Sequence, residues 1–216
     1  QRTGDPGDIM LILAIDTSGR TASCALLQDG ALLDAASQDS MLDHSRLLLP
    51  LCRRLLEQHG LTLQAVDVFA AVIGPGSFTG IRIGAAAVKG FGWALDKPCA
   101  GVSSLLAMAW DAAEDGVICC SLRARPGESY YAVFRREQGR VVRLTEDAVG
   151  SDAQLEQAAR EQGCTIILRD CCAASGAARA AWEMACGGTL QTCHEIIPAY
   201  LRMTQAERMR KERMGS

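Results

Sequence analysis

The sequence predicts an α/β protein of two lobes, each running strand–strand–strand–helix–strand–helix. Three observations carry that reading. Short apolar or alternating runs are bounded by turn residues, as strands are. Longer runs with helical spacing separate them. The order of the two repeats in the second half, although the halves share little sequence. In the first half, strands are expected at 12–16, 21–27 and 31–37, with Asp29-Gly30 as the hairpin signal between the last two. A helix follows over about 43–59, ended by Gly60. Pro50 lies inside it and should bend the helix or mark its first regular turn. A strand at 68–73 and a helix over 77–95 complete the half. A connecting helix near 103–114 leads to strands at 117–122, 129–135 and 140–144. Ser151 caps a helix ending at Gly163, followed by a strand at 165–168 and a helix over 173–186.

Three strands able to pair antiparallel, then a βα crossover, make a ribonuclease-H-like unit. Two in tandem give the ASKHA architecture of actin, sugar kinases and Hsp70-type ATPases. That fold leaves function open. The expected division is a first lobe over 10–101, a smaller second lobe over 102–197 and a basic helical tail over 198–216. Residues 1–9, QRTGDPGDI, differ in character and read as a leader or an expression remnant, with Met10 as a start.

Composition narrows the classes. The chain has 216 residues, 49% hydrophobic and 22% charged, with a net charge of -3. That balance argues against a protein that coats nucleic acid. No run approaches the roughly 20 apolar residues of a membrane helix, and the apolar stretch from Met10 is stopped by Asp16, too short for a signal segment. Ten cysteines occur without any Cys-x-x-Cys, and the pairs Cys119-Cys120 and Cys171-Cys172 are vicinal. The expected reading is reduced, buried thiols in a cytoplasmic protein.

The stretch AVIGPGSFTGIRIGAAAVKG, residues 71–90, holds a strand-to-helix turn of the kind that receives phosphates. It is not a Walker A loop, because Ile81 rather than Lys follows Gly80, and it is one residue too long for G-x-G-x-x-G. A structural turn, with Gly74 and Gly76 allowing tight backbone and Ser77 as N-cap, is favoured over an anion site, since no cation accompanies it. Asp16-Thr17-Ser18 resembles the first phosphate loop of ASKHA ATPases, so Asp16, Thr17, Ser18 and Ser77 are the candidate nucleotide or anion contacts. The alternative for Asp16 is a strand-end carboxylate bonded to its own turn.

Two helices suggest a partner. Gly80 and Gly84 lie one turn apart, and each glycine costs about 1 kcal/mol relative to Ala in a helix interior. Such a cost points to close backbone approach, either to the protein's own sheet or to a helix of another chain. In the first helix the apolar residues between Leu47 and Leu56 spread over roughly twice the arc of a one-sided surface helix, more than one sheet covers, so a partner chain or a neighbouring domain is expected against it. The expected partner surface is Leu47, Leu48, Leu51, Leu55, Gly80, Ile81, Gly84 and Val88.

The segments LILAIDTS, HSRLLLP, GPGSFTGIRIGAAAVKG, PCAGVSSLLAMA, GESYYA and PAYLR, in order from Leu11 to Arg202, resemble the TsaB family, with Gly74 to Gly84 the most specific. The resemblance implies an ASKHA-type fold and a non-catalytic role in making threonylcarbamoyladenosine at position 37 of ANN-decoding tRNAs. It implies a heterodimer with the catalytic paralogue TsaD through the first two helices, a homodimer in its absence, and TsaE in a larger complex, with TsaC supplying the adenylate. No cofactor is expected on this chain alone; ATP or ADP with Mg belongs to the complex. One departure stands out: Arg123 occupies a position commonly acidic in the family, which leaves the inherited polar contact there in doubt.

The rival reading is an ATP-using, metal-dependent enzyme active by itself. The catalytic paralogue carries His-x-x-x-His, whereas His44 is followed four residues later by Leu48, and His59 and His194 are isolated. His44 therefore reads as a helix-start residue, and no metal ligands are assigned. A peptidase reading has no Ser/His/Asp or zinc motif behind it. The tail over 202–214 could touch tRNA phosphates, but a solvated helix with Glu/Arg neighbours is the favoured reading.

Overall fold

The computed structural model describes residues 9–39, 43–170 and 174–201. The expectations for 1–8, the tail from 202 and the Cys171-Cys172 pair lie outside them.

Apolar alternation places β1 (Leu11–Asp16), β2 (Thr21–Gln28) and β3 (Ala31–Asp39) in an antiparallel meander. The β2–β3 turn is made by Asp29 and Gly30, both at positive φ (50° and 81°), the geometry of a type I′ hairpin. α1 (His44–Gln58) crosses to β4 (Val68–Gly74), which pairs parallel with β1. α2 (Phe78–Leu95) crosses to β5 (Cys99–Ser103), giving the sheet order β3-β2-β1-β4-β5. The second sheet holds β6 (Gly116–Arg125), β7 (Glu128–Glu137), β8 (Arg140–Arg143), β9 (Ala148–Ser151) and β10 (Ile166–Arg169), in the order β10-β6-β7-β8 with β9 also on β7. α3 (Ser104–Trp110) joins the sheets, and α4 (Asp152–Glu161) and α5 (Ala174–Cys186) flank β10 in sequence.

The chain is thus α/β, with two ribonuclease-H-like lobes. β5 and β9 were not anticipated. CAGVS and AVGS are short and contain glycine, and their strand state comes from the neighbours they pair with. The connecting helix is shorter than expected and ends at Trp110. Pro50 sits well inside α1, past its first turn.

The packing is layered. α1 and α2 cover one face of the first sheet, in a core including Leu13, Ile15, Leu26, Leu48, Leu55, Phe69 and Val88. α3 and α5 cover the other face through Ala107, Trp110 and the small residues Ala174, Ala177, Ala178 and Ala181. α3 is shared: its Leu105 and Met108 pack instead on the second sheet against Ile118, Cys120 and Phe134. α4 closes the outer face of that sheet with Leu155 and Ala159. Among the described residues no helix is long and apolar enough to cross a membrane.

Candidate functional site

β1 and β4 are parallel neighbours, so the loops leaving Asp16 and Gly74 meet at one edge of the sheet. Their backbones are bonded to one another. Ser77 N–H donates to the Ser18 carbonyl at 2.7 Å, and the Thr17 hydroxyl donates to the Gly80 carbonyl at 2.7 Å. Ser77 caps α2 as expected, its Oγ accepting from Gly80 N–H at 3.2 Å. The Ser104 hydroxyl donates to the Pro75 carbonyl at 2.6 Å from the start of α3.

The glycines follow from this contact. A Cβ on Gly76 would stand 2.6 Å from the Ser18 carbonyl oxygen, and one on Gly80 would overlap that of Thr17. A Cβ on Gly84 would lie 2.7 Å from the Thr17 hydroxyl. The loop after β1 therefore rests directly on the first turns of α2. A phosphate at this turn needs unoccupied N–H groups and open space above the glycines. Here the N–H groups of Ser77 and Gly80 already have acceptors, and residues 17 and 18 fill the space. These residues do not fit a nucleotide phosphate at the turn. Asp16, Thr17 and Ser18 are buried, and Ser77 alone of the four candidate contacts is exposed.

Asp16 Oδ1 accepts from Ser18 N–H at 2.8 Å, as a strand-end carboxylate does, while its buried Oδ2 has no hydrogen-bond partner. Asp111, at the end of α3, is its electrostatic neighbour. Burial pushes the Asp111 carboxyl above the usual range, opposed by the Ser175 hydroxyl at 2.6 Å, the Gly176 backbone and Arg179, and reinforced by the charge of Asp16. Arg179 Nε lies 3.7 Å from Asp111 Oδ1. Among the described residues, no three His, Cys, Asp or Glu side chains gather as a metal site would require. His44, on the first turn of α1, bonds the Gly19 carbonyl at 3.1 Å.

Most of the expected partner surface lies inside the protein's own core. Leu48, Leu51 and Leu55 are buried in the protein's own core, as are Ile81 and Val88. The buried residues of α1 share one core with the first sheet, and Val66 belongs to that core, with Leu61 and Leu63 packed against it. Gly80 and Gly84 approach the loop after β1. Leu47 is only half-buried. The solvent face of the two helices is made of other residues: Leu49 is 51% exposed on α1, and on α2 Phe78 is 40% and Trp93 75% exposed. Arg82 stacks on the Phe78 ring at 4.1 Å and donates from Nε to the Tyr200 hydroxyl at 2.8 Å. Phe78, Arg82, Ala86 and Trp93 recur at helical spacing, a signal readable in the sequence once the glycine face is assigned inward.

Residues 38–202 match the family model of TsaD, tRNA N6-adenosine threonylcarbamoyltransferase. The chain belongs to the TsaD family. Within it the likeness is to the TsaB/YeaZ members. The chain is 36% identical over 132 residues to the tRNA threonylcarbamoyladenosine biosynthesis protein TsaB of Escherichia coli, covering 60% of this chain and 57% of that one. It is 33% identical over 139 residues to TsaB of Bacillus subtilis, covering 64% and 61%. The match thus spans less than two thirds of these curated relatives. YeaZ of Pseudomonas aeruginosa superposes with a TM-score of 0.78 at 28% identity, over 89% of this chain and all (100%) of that one. A second Pseudomonas aeruginosa structure, described as an uncharacterized protein with similarity to peptidase YEAZ, gives 0.79 at 27% identity over the same shares.

Five of the described thiols of this TsaB-like chain are core residues, whereas Cys164 and Cys193 are half-buried and Cys186 is exposed. Cys24, Cys52, Cys99, Cys119 and Cys120 are buried and form no disulfide among the described residues. Hydrogen bonding to Cys24 and burial push Cys52 far up, and burial alone leads in pushing Cys99 and Cys119 up to about 11. Cys52, Cys99 and Cys119 therefore remain protonated and weakly nucleophilic at neutral pH.

Proposed function

We propose that this chain is the non-catalytic, TsaB-type subunit of an assembly that forms threonylcarbamoyladenosine at position 37 of ANN-decoding tRNAs. It binds a TsaD-type catalytic subunit and holds it in working form. The same face pairs two copies when that subunit is absent, and TsaE joins the larger complex. Nucleotide and Mg act at the level of the complex, in the cytoplasm.

The observation that carries this reading is the outer face of α1 and α2. An indole 75% exposed on a rigid helix, with Leu49 51% exposed on the neighbouring one, is the anchor composition of a protein interface. The closed turn beneath supports it, since α2 starts from a backbone junction bonded within the protein. The interface proposed is therefore Leu49, Phe78, Arg82, Ala86 and Trp93, with Leu47 at its margin.

The test is size-exclusion chromatography with light scattering on this chain, a TsaD-type subunit and their mixture, followed by a tRNA modification assay. A new heterodimer peak and activity dependent on both chains are expected. Absence of any complex, or transfer by this chain alone, overturns the reading.

A further inference from the structure

β6 and β10 are parallel neighbours, with Arg169 in register with Ser121, and both run out at one edge of the second sheet. Crevices outside the carboxyl ends of parallel strands are where open α/β sheets receive ligands. Here the β6–β7 hairpin and the first residue of α4 wall a cavity of about 210 Å³. Its charged lining is Arg123, Arg125, Arg169, Glu128, Asp152 and Asp170, with the hydroxyl residues Ser121 and Ser129 beside them.

The formal charges cancel, but they are not equally engaged. Glu128 is ion-paired with Arg125. Asp170 Oδ1 accepts the Arg123 backbone N–H at 2.8 Å. Asp152 Oδ1 accepts from the Ser129 hydroxyl at 3.4 Å and sits in the first turn of α4, where the helix dipole favours a negative charge. The guanidinium groups of Arg123 and Arg169, in contrast, make no hydrogen bond or ion pair in the described structure. The two guanidinium groups, unpaired among the described residues, are planar forks of N–H donors on one small polar cavity and match the oxygens of a tetrahedral phosphate.

We propose that this cavity is a binding site for a small phosphate-type anion, either inorganic phosphate or the phosphate of a small ester, held between Arg123 and Arg169. The enclosure is too small for a nucleic-acid duplex and suits a single phosphoryl group with part of its substituent. The site lies away from the α1–α2 face and stands independently of the proposed assembly.

The test is an NMR titration of the 15N-labelled full chain with sodium phosphate and, separately, with AMP, at ionic strength held constant by sodium chloride. Saturable shifts of the Gly127, Asp152 and Asp170 amides are expected, with a Kd on the order of 1 mM. The Arg123→Ser/Arg169→Ser variant should bind at least about ten-fold more weakly. The Arg140→Ser/Arg160→Ser variant removes equal charge outside the cavity and should bind like the parent. The proposal fails if no saturation occurs below about 20 mM, or if the cavity variant binds as the parent does. It also fails if both small ligands are silent while a tRNA transcript moves the same amides.

Discussion

The carbonyl oxygen of Thr17 occupies the place where a side chain at Gly80 would begin, and the Thr17 hydroxyl donates to the Gly80 carbonyl at 2.7 Å. These two residues are 63 positions apart and fix α2 to the end of β1. The glycine-rich turn therefore serves close backbone approach within one lobe.

A methyl group at Gly80 has backbone to displace, which cannot swing aside as a side-chain tip can. Gly80→Ala should destabilise the protein by about 1–3 kcal/mol, the usual cost of overpacking. Gly84→Ala meets the Thr17 hydroxyl at 2.7 Å and should also destabilise. Gly90→Ala supplies the contrast, because nothing lies within 4 Å of its added Cβ. It should leave stability unchanged or raise it by up to about 1 kcal/mol through helix propensity. Urea melts of the three variants check the ordering. Equal effects at Gly80 and Gly90 would remove the case for contact-driven glycine here.

Thr17→Val isolates the hydrogen bond from the packing. Valine keeps the shape and removes the donor to Gly80, inside a residue with 0% exposure. A loss of about 1–3 kcal/mol is expected for a buried polar partner left behind, or roughly 2–12 °C in Tm for a chain of this size. Thr17→Ser, which keeps the hydroxyl, should recover part of that loss in the same thermal scan.

Asp111 gives a pH signature. Its folded-state pKa is raised above 3.8, chiefly by burial. A raised carboxylate pKa means that the folded state holds the proton longer than the unfolded one. The associated stability is present at low pH and is lost as pH rises through the folded-state value. Asp111→Asn keeps an acceptor for the Ser175 hydroxyl and removes the titration. The parent's stability relative to this variant should therefore fall as pH rises from below 3.8 through the raised folded-state value. A difference that grows with pH would mean that Arg179 outweighs burial at this carboxyl.

Much of this architecture is legible in the residues, and the gaps have physical causes. Asp29-Gly30, Ser77 and Ser151 announce their hairpin and caps because those positions demand particular backbone or side-chain chemistry. β5 and β9 do not announce themselves, since CAGVS and AVGS become strands by pairing with β4 and β7. The wide apolar arc of α1 suggested a partner chain, whereas Leu48, Leu51 and Leu55 lie in the protein's own core, and sequence alone does not say which neighbours complete that core. The cavity at Arg123 and Arg169 joins residues 46 positions apart across a parallel register, and no local pattern reports it.

The proposed interface makes the most discriminating prediction, because inward and outward leucines alternate on one helix. Leu48 is 1% exposed and Leu49 51% exposed. Leu48→Asp places a carboxylate in the core and should abolish folding, since an unpaired buried charge costs far more than a typical domain can lose. Leu49→Asp leaves the charge in water on the free chain, so circular dichroism and Tm should match the parent. If the outer face docks a partner, that same charge is desolvated in the complex, and binding to a TsaD-type subunit should weaken by at least ten-fold, about 1.4 kcal/mol. Trp93→Ala should act in the same direction, as truncation of an aromatic anchor costs about 2 kcal/mol or more at an interface centre. Trp93 also reports the event directly: at 75% exposure its fluorescence is open to quenching by iodide, and partner binding should protect it. Trp110 is 8% exposed and serves as the internal reference. Well-folded Leu49→Asp and Trp93→Ala variants that bind as tightly as the parent, with Trp93 still quenched in the complex, would place the partner on another face of the protein.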